Sequence, residues 1–115
     1  MTYKQLEARL ARIQAELVAL GPIHPGSLSI QYNVCGTPGC QCKDPRNPQK
    51  HGPYHQLSYT WRGKSTTRFV RPGLVAILKA KLARYQRFRE LTAAWVDVAI
   101  ALEALERQAA NAEGK

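Results

Sequence analysis

The stretch Cys35-Gly-Thr-Pro-Gly-Cys40-Gln-Cys42, followed after eight residues by His51-Gly-Pro-Tyr54, decides how this chain folds. All three cysteines of the chain lie within eight positions. Tetrahedral Zn²⁺ takes four nitrogen or sulfur ligands, and three cysteines with one histidine form a common structural set. Glycine and proline supply the tight turns that let a short loop close around an ion. We therefore predict a structural zinc site, a zinc-finger-like loop, in which four protein ligands leave no position for a catalytic water.

The fourth ligand is less determined by the sequence than the three cysteines. His51 is our first choice because it ends the loop just before the next strand begins. His55 shares its predicted strand face with apolar residues, and Asp44 is a harder ligand than zinc prefers beside three thiolates. Free thiols or a redox pair are the competing interpretation. The odd number of cysteines argues against a disulfide framework, and Cys40 and Cys42 are too close for an easy unstrained bridge.

Three β-strands are predicted around this loop. Apolar and polar residues alternate over 28–34, which is typical of a half-buried strand. A second strand begins near Tyr54, and a third covers about 65–71. The turn signal Arg62-Gly63-Lys64 separates them. We interpret it as a three-residue turn, because that register collects the large apolar side chains on one face.

That register makes a specific prediction about the two faces of the hairpin. The apolar face would carry Leu57, Tyr59 and Trp61, with Leu57 opposite Phe69, and the other face would show Ser58, Thr60, Thr66 and Arg68. Aromatic rings can stack on single-stranded bases. We expect Tyr59, Trp61 and Phe69 to pack in the core instead, whereas Tyr54 falls on the opposite face and remains a candidate for stacking.

Helices are predicted on either side of the sheet. Residues 2–20 carry leucine and isoleucine at spacings of three and four, and Gly21-Pro22 ends that helix. Residues 74–110 repeat the same spacing over about 55 Å. The first helix covers about half of that length, so we expect a homodimer through a helical bundle or antiparallel coiled coil. The alternative is a break near Thr92-Ala93-Ala94 that folds the long helix back as a hairpin.

These elements predict a single α+β domain over 1–115. It consists of an N-terminal helix (1–21), a small three-stranded antiparallel sheet with its zinc loop (25–72) and a long C-terminal helix (73–112). The 115 residues include 17 bases and 8 acids, for a formal charge of +9, and 44% are hydrophobic. That apolar content is ordinary for a folded chain. We expect a cytoplasmic protein, because we find no apolar run long enough for a membrane span and no apolar leader.

The positive charge is concentrated around the predicted sheet. Residues 21–72 carry seven bases and one acid, Asp44. An excess of this kind favours a polyanionic partner. We predict binding to nucleic acid, duplex DNA first, with hydroxyl side chains contributing phosphate contacts. The predicted contact residues are Arg46, Lys50, Arg62, Lys64, Arg68 and Arg71 on the loop and hairpin, and Lys81, Arg84 and Arg87 on the long helix.

Other function classes are weighed against this one. A protein-interaction adaptor would use the long helix and carry its charge for solubility, and an RNA-binding protein would use the same bases. We do not predict an enzyme or a small-molecule substrate. The sequence shows no Ser/His/Asp set, no phosphate-binding glycine loop and no paired acids near the sheet.

Several short motifs resemble a family of short bacterial proteins of unknown function whose members are often encoded near transposases or on other mobile elements. They are Pro25-Gly26-Ser27-Leu28, Cys35-Gly36, Pro38-Gly39-Cys40-Gln41-Cys42, His51-Gly52-Pro53-Tyr54 and the run 85–91, so the resemblance covers about residues 25–95. It implies metal ligation by Cys35, Cys40, Cys42 and His51 and supplies no activity. Together with the DNA binding predicted from the charge, it leads us to expect an accessory or regulatory role at a mobile element. His55 stands where relatives tend to carry another aromatic. The hairpin is also similar to the small arm-type DNA-binding sheets of tyrosine recombinases.

Overall fold

A computed structural model describes residues 1–113 and confirms the α+β architecture. The elements, in chain order, are α1 (Tyr3–Ala19), β1 (Ser27–Asn33), β2 (His51–Trp61), β3 (Lys64–Val70) and α2 (Val75–Glu113), with single 3₁₀ turns at Gln41–Lys43 and Pro72–Leu74. The chain divides into two compact units. The helical unit contains Met1–Ile23 and the chain from Ala83 onward, and the sheet unit contains His24–Leu82.

The helical unit begins with a capping box. The Thr2 hydroxyl accepts a hydrogen bond from the Gln5 backbone N–H (3.2 Å), and the Gln5 side-chain oxygen accepts one from the Thr2 N–H (2.8 Å). This arrangement satisfies two of the backbone donors that a helix N-terminus leaves unpaired. Thr2 is therefore the N-cap of α1.

The same unit pairs α1 antiparallel with the distal part of α2. Its buried core is formed by Leu6 and Ile13 of α1 with Leu91 and Val98 of α2. At one end the Tyr3 hydroxyl donates to Glu106 (3.0 Å), and at the other Arg87 pairs with Glu16. The helix α2 is continuous through 92–94, so the alternative prediction of a helix break at Thr92-Ala93-Ala94 is wrong. This segment contains neither glycine nor proline, and the Thr92 hydroxyl donates to the Arg89 carbonyl within the helix (3.1 Å).

The sheet unit is an antiparallel sheet with strand order β1-β2-β3. Leu57, in the central strand, is fully buried and packs in a cluster with Val70 and Leu78. Leu28 of β1 lies opposite Leu57 and is half-buried against the same cluster. The first residues of α2 therefore cover one face of the sheet, because successive side chains of a strand alternate between faces.

The β2–β3 turn has two residues rather than the three predicted. Arg62 (φ 51°) and Gly63 (φ 78°) are both left-handed, as a type I′ turn requires, and Lys64 is already the first residue of β3. Leu57 consequently pairs with Arg68, and Phe69 pairs with Gln56. Because a shift of one residue moves every side chain of a strand to the other face, the predicted pairing of Leu57 with Phe69 is wrong.

The corrected register defines two faces of the sheet. The covered face carries Leu28, Ile30, His55, Leu57, Tyr59, Trp61, Lys64, Thr66, Arg68 and Val70. The open face carries Ser27, Ser29, Gln31, Tyr54, Gln56, Ser58, Thr60, Ser65, Thr67 and Phe69. Arg68 and Thr66 thus lie on the face opposite to the one predicted. Gly26 immediately precedes β1 with φ +108°, and a Cβ there would collide with the Ser58 carbonyl oxygen of β2.

Among residues 1–113, no helix combines the length and the hydropathy that crossing a membrane would require.

Candidate metal centre and basic surface

The four residues predicted as metal ligands lie together between the end of β1 and the start of β2. The ligand atoms of Cys35, Cys40, Cys42 and His51 all lie within 4.8 Å of one another. The Cys35 and Cys42 sulfurs are 3.5 Å apart, and the Cys40 sulfur is 3.4 Å from Nε2 of His51. The cluster therefore forms from two β-strand ends and the loop between them.

The loop between the strands, residues 34–50, makes a few backbone hydrogen bonds of its own. The Lys43 N–H donates to the Cys40 carbonyl (3.0 Å), and the Gln49 N–H donates to the Gln41 carbonyl (2.9 Å). Gly39 adopts φ +77°, which favours glycine, between the first two cysteines. Cys42 is the one buried residue of this loop, so the sulfur cluster itself is the loop's core.

Hydrogen bonds within the cluster favour the thiolate forms of Cys35 and Cys40 beside a charged imidazole, whereas the burial of Cys42 favours its thiol. The pKa of Cys35 is lowered to about 6, first by a hydrogen bond from the Thr37 backbone N–H and then by His51 and the other two thiols. The Cys42 backbone N–H lowers the pKa of Cys40. Burial raises the pKa of Cys42, and hydrogen bonding to Cys35 and Cys40 raises the pKa of His51. Metal ions bind the thiolate rather than the thiol.

The distances between these atoms fit a tetrahedral ion. Metal–sulfur bonds of about 2.3 Å and metal–nitrogen bonds of about 2.0 Å imply tetrahedron edges of roughly 3.8 Å between sulfurs and roughly 3.5 Å between sulfur and nitrogen. The two contacts at 3.5 and 3.4 Å are close to those edges, and every other separation lies within 4.8 Å, at most about an ångström above them.

The alternative fourth ligands lie outside the cluster. His55 is half-buried on the covered face of the sheet, as the residue alternation predicts. The Asp44 carboxylate accepts the Arg46 backbone N–H at 2.9 Å, which is typical of a loop turn. His24 bonds the Pro25 carbonyl and packs edge-on against Tyr59. The cluster thus contains His51 and none of these three residues.

The basic residues are distributed very unevenly between the two units. The sheet unit has nine bases and one acid, so it carries +8 of the chain's formal charge of +9. Seven of the predicted contact residues belong to it, namely Arg46, Lys50, Arg62, Lys64, Arg68, Arg71 and Lys81. Lys43 and Lys79, which we did not predict, complete the nine, and the charge of the segment alone could have identified them. None of the nine forms an ion pair within the described residues.

Arg68 of the sheet and Lys81 of α2 line one groove of about 110 Å³. Its floor is apolar and includes Val70 and Leu78, and the exposed side chain of Ile77 forms part of its wall. Two cations that converge on one groove can contact neighbouring oxygens of a single anion or of adjacent phosphates. One predicted contact residue of the sheet and one of the helix thus line the same groove.

Arg84 and Arg87, the other two predicted contact residues, belong to the helical unit and are engaged there. The Arg84 guanidinium donates to the Pro22 carbonyl (3.1 Å). Arg87 pairs with Glu16 and with Glu90, which raises the pKa of its guanidinium.

Two exposed aromatic rings lie on the open face, Tyr54 as predicted and Phe69 contrary to its predicted place in the core. Tyr54 and Phe69 meet edge-to-face on the open face, with ring centroids 5.9 Å apart. Phe69 is 58% exposed, although we had predicted it to lie in the core. Trp61 is exposed at the other end of the hairpin, beside the Arg62 guanidinium, and Tyr59 is half-buried. A prediction of a two-residue turn at Arg62-Gly63 would have placed Phe69 on the open face.

The chain belongs to the family described as a domain of unknown function (DUF6788), whose model matches residues 3–80. The match covers α1, the whole sheet with its metal-ligand loop and the first turns of α2. Comparison with curated proteins returned no match, and neither did comparison with solved structures.

Proposed function

We propose that this protein is a zinc-stabilised nucleic-acid-binding protein that contacts duplex DNA through its sheet unit. The observation that carries the proposal is the segregation of charge. Nine basic residues, none in an ion pair among the residues that the structure describes, and a single acid occupy positions 24–82, while the rest of the chain is almost neutral. A surface of this kind attracts the phosphate backbone regardless of base sequence.

Zinc is the metal that best suits the cluster. Three thiolates and one imidazole are soft and borderline ligands, which select zinc over calcium or magnesium. With all four positions filled by protein, the ion has a structural role and activates no water. Its function would be to hold the cationic loop 34–50 against the sheet.

A binding assay with matched charge removal tests the DNA-binding proposal. Arg62→Ala, Lys64→Ala and Arg68→Ala together remove three charges from the sheet unit. We expect this triple variant to weaken binding of a generic duplex and to reduce the slope of log K against log salt by up to about 2.7. Fluorescence anisotropy over a salt series measures both quantities.

The control removes the same number of charges from the helical unit. Lys4, Arg12 and Arg89 are exposed and form no ion pair within the described residues, so their triple alanine variant should bind duplex as the wild type does. Equal weakening by both triple variants would show that net charge alone acts. Absence of binding by the wild type at low salt would refute the proposal and favour an adaptor function, and stronger binding to RNA than to duplex DNA would redirect it to RNA.

We also propose that the distal part of α2 forms a homodimer. Val96 and Ile100 lie one turn apart and are 55% and 64% exposed, beside the partly exposed Trp95. Val96→Glu should convert a dimer to a monomer in light scattering, whereas a monomeric wild type would contradict this part of the proposal. A dimeric DNA-binding protein of this size suits an accessory or regulatory role at a bacterial mobile element, where proteins with similar motifs are often encoded.

A further inference from the structure

We propose that the open face of the sheet binds unpaired bases of single-stranded DNA, with Tyr54 and Phe69 as the stacking surface. The inference rests on the proposed nucleic-acid-binding function and adds a second kind of contact to it. The basic residues would hold phosphates, whereas this face would hold bases.

The first argument is the composition of the face. Its ten residues include no charged side chain, four serines, two threonines and two glutamines, and its only large apolar groups are the Tyr54 and Phe69 rings. Those rings are 41% and 58% exposed. A face built for a hydrophobic protein partner would expose a broad aliphatic patch, whereas isolated aromatic rings on a polar sheet suit the flat faces of bases.

The second argument is the row of hydroxyl groups beside the rings. Ser58 and Thr67 lie across from each other with their hydroxyl oxygens 3.4 Å apart, and Thr60 and Ser65 do the same at 2.8 Å. Hydroxyl groups donate to and accept from phosphates and base edges with little dependence on sequence. From Tyr54 to Thr60 the face is about 20 Å long, comparable with sheets that stack two or three bases.

The third argument is charge complementarity at both ends of the face. Lys50 immediately precedes β2 and Arg71 immediately follows β3, so both bases lie at the end of the sheet that carries Tyr54. At the hairpin end lie Arg62, in the turn, and Lys64, the first residue of β3, whose own side chain is on the covered face. All four are exposed, and the face between them carries no acid. Phosphates on either side of stacked bases would therefore meet cations.

Single-stranded rather than duplex DNA is assigned because stacking requires an accessible base face. In a duplex each base is covered above and below by its neighbours, so the rings could reach only its edges and backbone. An unpaired base exposes the surface that an aromatic ring covers, and such contacts tolerate any base.

The test compares short labelled oligothymidine with a generic duplex by fluorescence anisotropy. Tyr54→Leu and Phe69→Leu keep apolar volume and remove the rings. Each should weaken oligothymidine binding roughly 10-fold, and the double variant roughly 100-fold. Duplex affinity and the salt slope of duplex binding should stay unchanged. The matched control is Trp61→Leu, which removes an exposed ring from the covered face of the same strand and should leave oligothymidine affinity unchanged.

Tyr54→Phe guards against loss of folding as the cause. It retains the ring and should bind oligothymidine as the wild type does, whereas loss of binding in this variant would contradict stacking. The inference fails if the double variant binds oligothymidine as the wild type does while the Arg62, Lys64 and Arg68 triple variant loses duplex binding. The proposed function itself fails if the wild type does not bind the duplex at low salt, whatever the oligothymidine result. Tighter binding of oligouridine than of oligothymidine would overturn the assignment to DNA.

Discussion

Removing the proposed zinc ion should release residues 34–50 while the core of the sheet stays folded. Fixing the backbone of these 17 residues costs about 17 kcal/mol at about 1 kcal/mol per residue. The five hydrogen bonds that the loop makes to oxygen acceptors return about 5 kcal/mol. A structural zinc ion contributes about 10–16 kcal/mol in small zinc-dependent peptides. The loop is therefore close to balance with the ion and strongly unfavourable without it, since Cys42 is its one buried side chain.

Amide hydrogen exchange measures this release residue by residue. Two variants are compared, one that removes a ligand and one that serves as its control. Cys42→Ser removes the buried ligand, and Gln41→Ser changes the exposed neighbouring side chain, which makes no hydrogen bond within the described residues. Chelation or Cys42→Ser should bring the amides of Lys43 and Gln49 close to the exchange rates of unstructured chain, whereas Gln41→Ser should not. The amide of Leu57 should stay protected throughout. Unchanged protection of Lys43 and Gln49 after chelation would refute the reasoning.

Two further predictions concern the cores and the surface charges. Leu57→Ala should destabilise the fold by about 3 kcal/mol, since the side chain is fully buried, while Ile77→Ala, at a position 55% exposed, should cost less than about 1 kcal/mol in urea denaturation. The Arg87 guanidinium lowers the pKa of the Glu16 carboxyl, so this contact stabilises the folded state above the ordinary carboxyl pKa and loses its effect as the pH falls through the lowered value. The Tm difference between wild type and Glu16→Gln should therefore shrink on acidification. Glu7→Gln, at an exposed site outside any ion pair of the described residues, should show no such trend. A Tm difference for Glu16→Gln that stays constant with pH would contradict the assignment.

Local pattern was enough to predict the elements of this fold. Alternation at 28–34 and the repeats at 2–20 and 74–110 each report which side of an element meets the core, and that requirement is local. The register of the hairpin is different in kind. It depends on whether one residue, Arg62, adopts a left-handed backbone that few non-glycine residues take. A single misjudged turn residue placed Phe69 on the wrong face.

The residues of the candidate site could likewise be predicted only where local pattern was sufficient. The spacing of the cysteines was sufficient to group them, because a short loop leaves them few other neighbours. Choosing His51 over His55 depended on strand alternation, and the position of His55 on the covered face bears that out. The intramolecular partners of Arg84 and Arg87 could not be predicted. Pro22 and Glu16 lie 62 and 71 positions away along the chain, and only the packing of α1 on α2 brings them near.

Metal content measured together with thiol titration tests the central claim most directly. Full-length protein purified without added zinc should contain one equivalent of zinc per chain. Its three cysteines should resist a thiol reagent until a chelator is added, and all three should then react. Much less than one equivalent, with three thiols reacting freely before chelation, would show that Cys35, Cys40, Cys42 and His51 hold no ion.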